Sequence, residues 1–192
     1  MKAVILAAGV GSRIRPLTNN TPKSLLKVGD KTILQRMIDN ILTVGIDQIA
    51  IVTGYLEDQI KDFIAQTYPD LKVEFIRNEI YDKTNTAYSL NLTRDFVEDD
   101  NFIKFDADVV FEKEILERLI SNNQESCLCI DKNINLEAEE VKVIVDKEGK
   151  VLEVGKKIHP KKAKGESIGI EKIGKNAAKI LFEELAKLRR KE

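Results

Sequence analysis

The feature that most constrains the fold is an apolar run at residues 3–8, which passes directly into a loop containing Gly9 and Gly11. An uninterrupted apolar run bounded by glycine indicates a strand that is buried on both faces of a parallel sheet. Glycine lets the backbone approach a bound molecule closely and expose its N–H groups. Because open α/β sheets bind ligands at the carboxyl ends of their strands, we predict that this loop lines a binding site.

The periodicity of the following residues predicts alternating strands and helices. Predicted helices lie at residues 32–44, 56–66, 86–96 and 113–121, and predicted strands lie at residues 48–52, 72–76 and 102–105. This alternation is typical of parallel strands, because each parallel crossover needs a connecting helix. We therefore predict an α/β fold: a Rossmann-like, mostly parallel sheet with helices on both faces.

The pattern changes after residue 121. Predicted strands follow at residues 127–130, 141–145, 151–154 and 168–173, and an amphipathic helix is predicted at residues 176–190. A chain of 192 residues suits one domain with a sizeable core. We therefore interpret the last third as a small β-rich extension of the same domain, one that supplies the second half of a cleft.

The composition limits the kinds of molecule that we expect this protein to bind. Charged residues make up 33% of the chain, yet the net charge is only −1. Nucleic acids and anionic membranes select proteins with a basic excess, so we expect neither as a partner. No apolar run is long enough to cross a bilayer, and the short run at the start does not resemble a signal peptide. We expect a cytoplasmic protein, with Cys127 and Cys129 as reduced structural thiols.

Three cations, Arg13, Arg15 and Lys23, follow the two glycines. Arginine supplies forked donors that suit phosphate oxygens, so the loop is a candidate phosphate site. It matches neither of the commoner phosphate loops: Ile14 stands where a dinucleotide fingerprint has its third glycine, and no Walker sequence is present. A surface turn with scattered cations is the alternative interpretation.

Two carboxylates, Asp106 and Asp108, come directly after the predicted strand at residues 102–105. Carboxylates at the end of a buried strand lie where a sheet opens to its ligand. Magnesium is usually bound by one or two carboxylates together with phosphate oxygens. These residues are therefore candidate metal ligands; the alternative is that an aspartate caps the helix predicted to begin near Phe111.

Two further groups carry polar side chains at predicted element ends. Asn85, Thr86 and Ala87 begin a predicted helix, where Thr84 or Asn85 would also serve as an ordinary cap. Lys156 follows a predicted strand, and Glu166 lies between Gly165 and Gly169, whose spacing suggests close backbone approach. Glu166 either binds a hydroxyl or ammonium group of a ligand or pairs with a surface lysine.

The string Leu6-Ala7-Ala8-Gly9-x-Gly11-x-Arg13, with Pro22-Lys23 downstream, resembles the signature of the nucleotidyltransferases that join a nucleoside triphosphate to a sugar phosphate or a phospho-alcohol. The resemblance implies a nucleotide-diphospho-sugar transferase-like fold over residues 1–192. Residues 1–110 would form the nucleotide-binding half and residues 111–192 the acceptor-binding half. Within the family, the string at residues 85–90, with Tyr81 ahead of it, looks most like the cytidylyltransferases that activate phosphocholine.

The resemblance also implies roles for individual residues. The residues implied to be catalytic are Arg13, Lys23, Asp108 and Lys156, with Mg²⁺ on Asp108. The residues implied to bind the nucleotide are Leu6, Ala7, Ala8, Gly9, Gly11, Ser12, Asn85, Thr86, Ala87 and Asp106. The residues implied to bind the acceptor are Lys156, Glu166 and Tyr88.

The implied reaction is attack of a phosphate monoester on the α-phosphorus of CTP, with release of pyrophosphate. The alternatives are a sugar-1-phosphate nucleotidyltransferase that uses UTP, GTP or dTTP, and a nucleotide-binding module without full catalysis. The family normally supplies a second acidic metal ligand from a Glu-Ile-Asp-like string near its C-terminus, and no such string precedes Glu192. Either the chain is truncated, or another residue serves, or the protein binds nucleotide without efficient turnover. The sequence does not define the oligomeric state.

Overall fold

The structure, a computed structural model, describes residues 1–132, 136, 137 and 139–189, with the side chains of all of these except residues 188 and 189. The strands are β1 (Lys2–Leu6), β2 (Lys27–Val28), β3 (Lys31–Thr32), β4 (Ile49–Thr53), β5 (Val73–Arg77), β6 (Phe102–Asp106), β7 (Cys127–Asp131), β8 (Lys142–Val145), β9 (Val151–Gly155) and β10 (Gly165–Ile173). The α-helices are α1 (Ile33–Thr43), α2 (Glu57–Thr67), α3 (Thr86–Asn91), α4 (Arg94–Val97), α5 (Lys113–Ser121) and α6 (Lys175–Arg189).

One eight-stranded sheet runs through the molecule in the order β5-β4-β1-β6-β10-β8-β9, and β7 also pairs with β10. Strands β5, β4, β1 and β6 are parallel to their neighbours. Strand β10 is antiparallel to β6, and the remaining pairings with β7, β8 and β9 are antiparallel as well. The predicted α/β fold, with a parallel central sheet and a β-rich extension, is confirmed.

Helices cover both faces of the parallel strands, as shown by the side chains of β1, which alternate between two cores. Ala3 and Ile5 face a core that also contains buried residues of α1, α2 and α5. Val4 faces the opposite side, where a second core contains buried residues of α3 and α6. All five residues of β4 are buried, as expected of a strand covered on both faces.

Most elements lie within one or two residues of their predicted bounds, and three differences are larger. The helix predicted at residues 86–96 is two helices, α3 and α4. The N–H of Thr93 donates to the carbonyl of Leu90 at 3.0 Å and the hydroxyl of Thr93 donates to the same carbonyl at 2.8 Å, so a helical bond to that carbonyl is replaced. Strand β10 starts three residues earlier than predicted and contains a register shift between Ser167 and Glu171. The short β2–β3 hairpin was not predicted, since two-residue strands carry no periodicity.

The antiparallel extension is less buried than the parallel strands. Three apolar residues of β9 are between 41% and 60% exposed: Val151, Leu152 and Val154. Cys127 and Cys129 are free thiols that pack against the first core, as predicted for structural cysteines. Burial, with smaller contributions from Cys127 and Glu171, raises the pKa of Cys129 to about 11. Within the described ranges, no helix has the length and apolar character needed to cross a bilayer.

Candidate active site

A cleft of about 820 Å³ opens at the carboxyl ends of β1 and β6 and extends to β10. Most of the residues singled out from the sequence line it: Leu6, Ala7, Ala8, Gly9, Gly11, Arg13, Lys23, Asn85, Thr86, Asp106, Asp108, Lys156 and Glu166. Among the described residues, Ser12, Ala87 and Tyr88 were assigned to the site and do not line it, and neither does Arg15, the third cation of the loop. Ser12 begins a short 3₁₀ turn, and Ala87 packs against the second core.

The glycine loop owes its shape to Gly11. This residue has a φ of +66°, which disfavours any side chain, and an added Cβ would lie 3.0 Å from the Thr18 methyl group. The Thr18 hydroxyl donates to the Gly11 carbonyl at 2.9 Å, which fixes the turn. Gly9 differs, because an added Cβ there would meet no described atom within 4 Å. The space in front of Gly9 is therefore available to a ligand.

Two residues that we did not single out anchor the loop. The Tyr55 hydroxyl is 3.0 Å from the carbonyl of Thr18 and 2.7 Å from that of Asn19. The N–H of Tyr55 donates to the carbonyl of Ala8 at 3.1 Å. On the other side, the N–H of Ala107 donates to the carbonyl of Leu6 at 3.2 Å. No motif points to Tyr55, because its role depends on the position of β4 beside β1.

The two carboxylates at the carboxyl end of β6 have different partners. The Asp108 carboxylate contacts the Lys23 ammonium, so the glycine-loop segment and the end of β6 meet across the cleft. The Asp106 carboxylate lies 2.9 Å from the ammonium of Lys104. The N-cap position of α5 is occupied by Glu112, four residues after Asp108. The alternative that Asp106 or Asp108 caps this helix is therefore wrong.

The loop before α3 is organised by Asn78, which is 1% exposed. Its amide donates to the hydroxyls of Thr84 at 2.9 Å and Ser89 at 3.0 Å, and its carbonyl accepts from the N–H of Ile80 at 3.1 Å. This network joins the end of β5 to α3. The signal in the sequence is a polar residue two positions after the predicted strand at residues 72–76, but its partners are set by the fold.

Asn85 has two roles: it lines the cleft and it caps α3. Its side-chain carbonyl accepts from the N–H of Tyr88 at 3.1 Å. The cap interpretation is therefore correct for Asn85. It is wrong for Thr84, whose hydroxyl donates to the carbonyl of Ile80 at 2.9 Å.

The extension contributes the far wall of the cleft. Lys156 follows β9 and lies 3.4 Å from Glu139, a lining residue that we did not predict. Burial, followed by the nearby carboxylates of Glu140 and Asp131, raises the pKa of Glu166, and Lys142 partly offsets this effect. Two carboxylates and one ammonium thus act on the charge of Glu166, and the carboxylates outweigh the ammonium.

Strand β10 approaches β6 closely at Gly169. This glycine has a φ of +76°, and an added Cβ would lie 2.4 Å from an oxygen of Asp106. The predicted close backbone approach is confirmed at this position. Gly169 therefore lets the register shift of β10 bring the extension against the floor of the cleft.

The model of the nucleotidyl transferase family matches residues 2–167. The chain belongs to this family. A CTP:phosphoglutamine cytidylyltransferase from Campylobacter jejuni is 36% identical over 138 residues, covering 69% of this chain and 53% of the relative. A choline-phosphate cytidylyltransferase from Streptococcus pneumoniae is 41% identical over 95 residues, covering 50% of this chain and 40% of the relative. The chain thus spans about half or less of the length of these curated relatives.

Solved structures agree with this assignment. The CTP:phosphocholine cytidylyltransferase of Streptococcus pneumoniae superposes with a TM-score of 0.74 at 28% identity, covering 99% of this chain and 78% of that one. The inositol-1-phosphate CTP transferase from T. maritima superposes with a TM-score of 0.79 at 19% identity, covering 93% of this chain and 72% of that one. The second likeness shows the fold alone. The resemblance to this family noted from the N-terminal string is therefore confirmed.

Proposed function

We propose that this nucleotidyl transferase moves CMP from CTP to a small phosphorylated acceptor and releases pyrophosphate. The observation that carries the proposal is the contact between Lys23 and Asp108 across the cleft. This contact brings together Lys23, a cation suited to binding phosphate, and Asp108, a carboxylate suited to binding a metal ion. Both lie beside the open space at Gly9. The names of the relatives, two of which are cytidylyltransferases acting on phosphorylated small molecules, support the same conclusion.

The arrangement suits a reaction that needs positioning and charge neutralisation. The oxygen of a phosphate monoester is already anionic at neutral pH, so the attack requires no side chain as nucleophile or base. Arg13 and Lys23 would neutralise the triphosphate, with the loop N–H groups around Gly9 as further donors. Lys156, on the opposite wall, would bind the phosphate of the acceptor and place it in line with the α-phosphorus.

The carboxylates fit a magnesium ion that arrives with the nucleotide. Among the described residues, no group of three His, Cys, Asp or Glu side chains could hold a metal ion. Mg²⁺ is commonly bound by one or two carboxylates plus substrate phosphates, and Asp108 on the cleft wall meets that requirement. When bound, the ion would neutralise charge on the reacting phosphates.

The preference for CTP rests on backbone carbonyls as well as on the relatives. Cytosine donates from an amino group at the position where uracil accepts. The carbonyls of Leu6 and Ala8 each accept one backbone hydrogen bond and retain a second lone pair for such a donor. Carbonyls left unpaired opposite uracil would disfavour UTP by about 1–3 kcal/mol each.

For the acceptor we propose a phosphocholine-like compound, meaning a phospho-alcohol with a cationic group. Glu139 and Glu166 line the acceptor wall and supply negative charge. An aromatic box is the usual receptor for a quaternary ammonium, and Tyr81 is the one aromatic residue among the described lining residues. Recognition of the cation would therefore rest mainly on carboxylates.

Two measurements test the proposal. The first is a binding titration of CTP, UTP, GTP and dTTP with magnesium, in which CTP should bind most tightly. The second is pyrophosphate release for each nucleotide with phosphocholine, phosphoethanolamine, inositol 1-phosphate and glucose 1-phosphate. Tighter binding of UTP or dTTP, together with release only in the presence of glucose 1-phosphate, would replace the proposal by the sugar-1-phosphate alternative. Nucleotide binding with no release for any acceptor would favour a binding module.

A further inference from the structure

Lys104 is a charged residue that the proposed chemistry does not use. It lies in β6, two residues before Asp106, and is 5% exposed. Its ammonium is 2.9 Å from an oxygen of Asp106 and 3.4 Å from an oxygen of Glu171, its register partner in β10. A buried ammonium that lacked partners would be strongly unfavourable, so these two carboxylates are what permit the lysine to be buried here.

The two carboxylates differ in their position relative to the cleft. Asp106 lines the cleft and its side chain is 38% exposed, whereas Glu171 is absent from the described lining residues. Asp106 is also confined from the other side, because its second oxygen lies against Gly169. The Asp106 carboxylate is thus held between a buried cation and the β10 backbone, with its remaining surface directed to the cleft.

We infer that Lys104 is a positioning residue, whose buried ammonium holds the Asp106 carboxylate as a hydrogen-bond acceptor for the sugar hydroxyls of the nucleotide. The inference rests on the proposed function, since it assumes that a nucleotide binds in this cleft. The ammonium of Lys104 is buried and stays beside Asp106, where it disfavours a second cation but leaves lone pairs free for hydroxyl donors. The ammonium that contacts Asp108 belongs to Lys23, whose side chain is 31% exposed and can turn to the phosphates when a metal ion binds. Asp106 and Asp108 would then have separate tasks, the first toward the sugar and the second toward the phosphates.

The chain offers a matched control. Lys172 in β10 is also 5% exposed, and its ammonium donates to the carbonyl of Asn122 at 2.7 Å. Lys104→Met and Lys172→Met each replace a buried lysine by an apolar side chain of similar length. Only the first removes a partner of a residue that lines the cleft.

The experiment measures dissociation constants for CTP, 2′-deoxy-CTP and 3′-deoxy-CTP with each variant. Lys104→Met should weaken CTP binding about tenfold, as expected for one misplaced charge-assisted hydrogen bond, and Lys172→Met should change it less than about twofold. Lys104→Met should also reduce the preference for CTP over at least one deoxy analogue. Asp106→Asn should reduce the same preference.

A double-mutant cycle separates positioning from a general structural effect. If Lys104 acts through Asp106, then Lys104→Met should have less than about a twofold effect on CTP binding in the Asp106→Asn background. Additive losses of CTP affinity in the double variant would overturn the inference, and so would equal losses in Lys104→Met and Lys172→Met. In either case, CTP binding by the wild type would still uphold the proposed function. If the wild type binds no nucleotide, both fall. If Lys104→Met does not fold, Lys104→Gln, which keeps a donor without the charge, takes its place under the same criteria.

Discussion

The parallel strands and the antiparallel extension share one sheet but differ in how they are covered. Strand β4 is buried along its whole length, whereas four of the five residues of β9 are exposed. The glycine loop and the two aspartates emerge from the covered strands, and Lys156 follows the exposed one. Under the proposed function, the nucleotide side of the cleft is therefore built on tightly packed strands, and the acceptor side on strands that are less buried. This difference suits a family whose members share a nucleotide reaction and vary in acceptor.

The largest expected effect concerns packing. Ile51→Ala in β4 removes a side chain that is 0% exposed, and it should lower the free energy of unfolding by about 2–5 kcal/mol. Leu152→Ala in β9, where the side chain is 60% exposed, should change it by less than about 0.5 kcal/mol. Urea denaturation of both variants provides the comparison. Equal losses would mean that the extension is as tightly packed as the parallel strands.

The second prediction distinguishes the proposed roles of Asp106 and Asp108. Asp108→Ala should lower magnesium-dependent turnover by about 100-fold or more, because the carboxylate proposed for the metal is lost. Asp106→Ala should have a smaller effect on turnover and act mainly on nucleotide binding. Initial rates of pyrophosphate release at saturating CTP, alongside CTP titrations, measure both. Similar mild effects on turnover would remove Asp108 from the metal site.

The third prediction compares cations on the two walls. Lys23→Ala and Arg13→Ala should each weaken CTP binding by about 1.5–3 kcal/mol, since triphosphate charge is left uncompensated. Lys156→Ala should raise the KM of the phosphorylated acceptor and leave CTP affinity within about twofold. The outcome against this division would be a Lys156→Ala variant that loses CTP affinity as strongly as Lys23→Ala.

The smallest expected effect is electrostatic and has opposite sign in the two regions. Burial alone would raise the pKa of Glu57, but the hydrogen bond from Thr53 and the charges of Lys61 and Arg77 outweigh it and lower the pKa. Its ionised form therefore contributes stability that is present above the ordinary glutamate pKa and is lost as the pH falls through the lowered value. The pKa of Glu166 is raised, so its contribution is present at low pH and is lost as the pH rises through the raised value.

At neutral pH, Glu57→Gln should accordingly destabilise the fold, and Glu166→Gln should leave it unchanged or stabilise it, each by about 1 kcal/mol or less. Both differences should shrink as the pH is lowered below the ordinary glutamate pKa. Thermal unfolding at a series of pH values checks this. Shifts of the same sign in the two variants at neutral pH would contradict the assignment.

Local patterns predicted those parts of the molecule whose structure has a local cause. Helix α5 was predicted at its observed bounds, because its apolar residues recur at helical spacing and face the first core. The Gly11 turn and the carboxyl-end position of Asp106 were likewise implied by the strand-to-loop transitions. The break between α3 and α4 was missed, because a side-chain hydrogen bond from Thr93 overrides helical periodicity.

The partners of the site residues could not be predicted, because they depend on which strands become neighbours. Lys104 occurs in an apolar strand pattern, and nothing local indicates that Glu171, 67 residues later, lies beside it. Asn78 lies just beyond the predicted strand at residues 72–76, but its bonds to Thr84 and Ser89 required the folded loop. Glu139 lies in an acidic run that is typical of a solvated surface, and its place on the cleft wall follows from the approach of β8 to β10.

Because Asn85 caps α3, its side chain is restricted in how it can recognise a nucleobase. The N–H of Tyr88 holds its side-chain carbonyl oxygen against the start of α3, so we expect Asn85 to offer a ligand mainly its amide NH₂, which can only donate. Both pyrimidines offer an acceptor oxygen between their ring nitrogens, so a donor from Asn85 would not distinguish cytosine from uracil. The choice between cytosine and uracil would then be made on the opposite side of the ring, by main-chain carbonyls that no side-chain substitution removes. Base preference in this protein should therefore be difficult to redesign by changing Asn85.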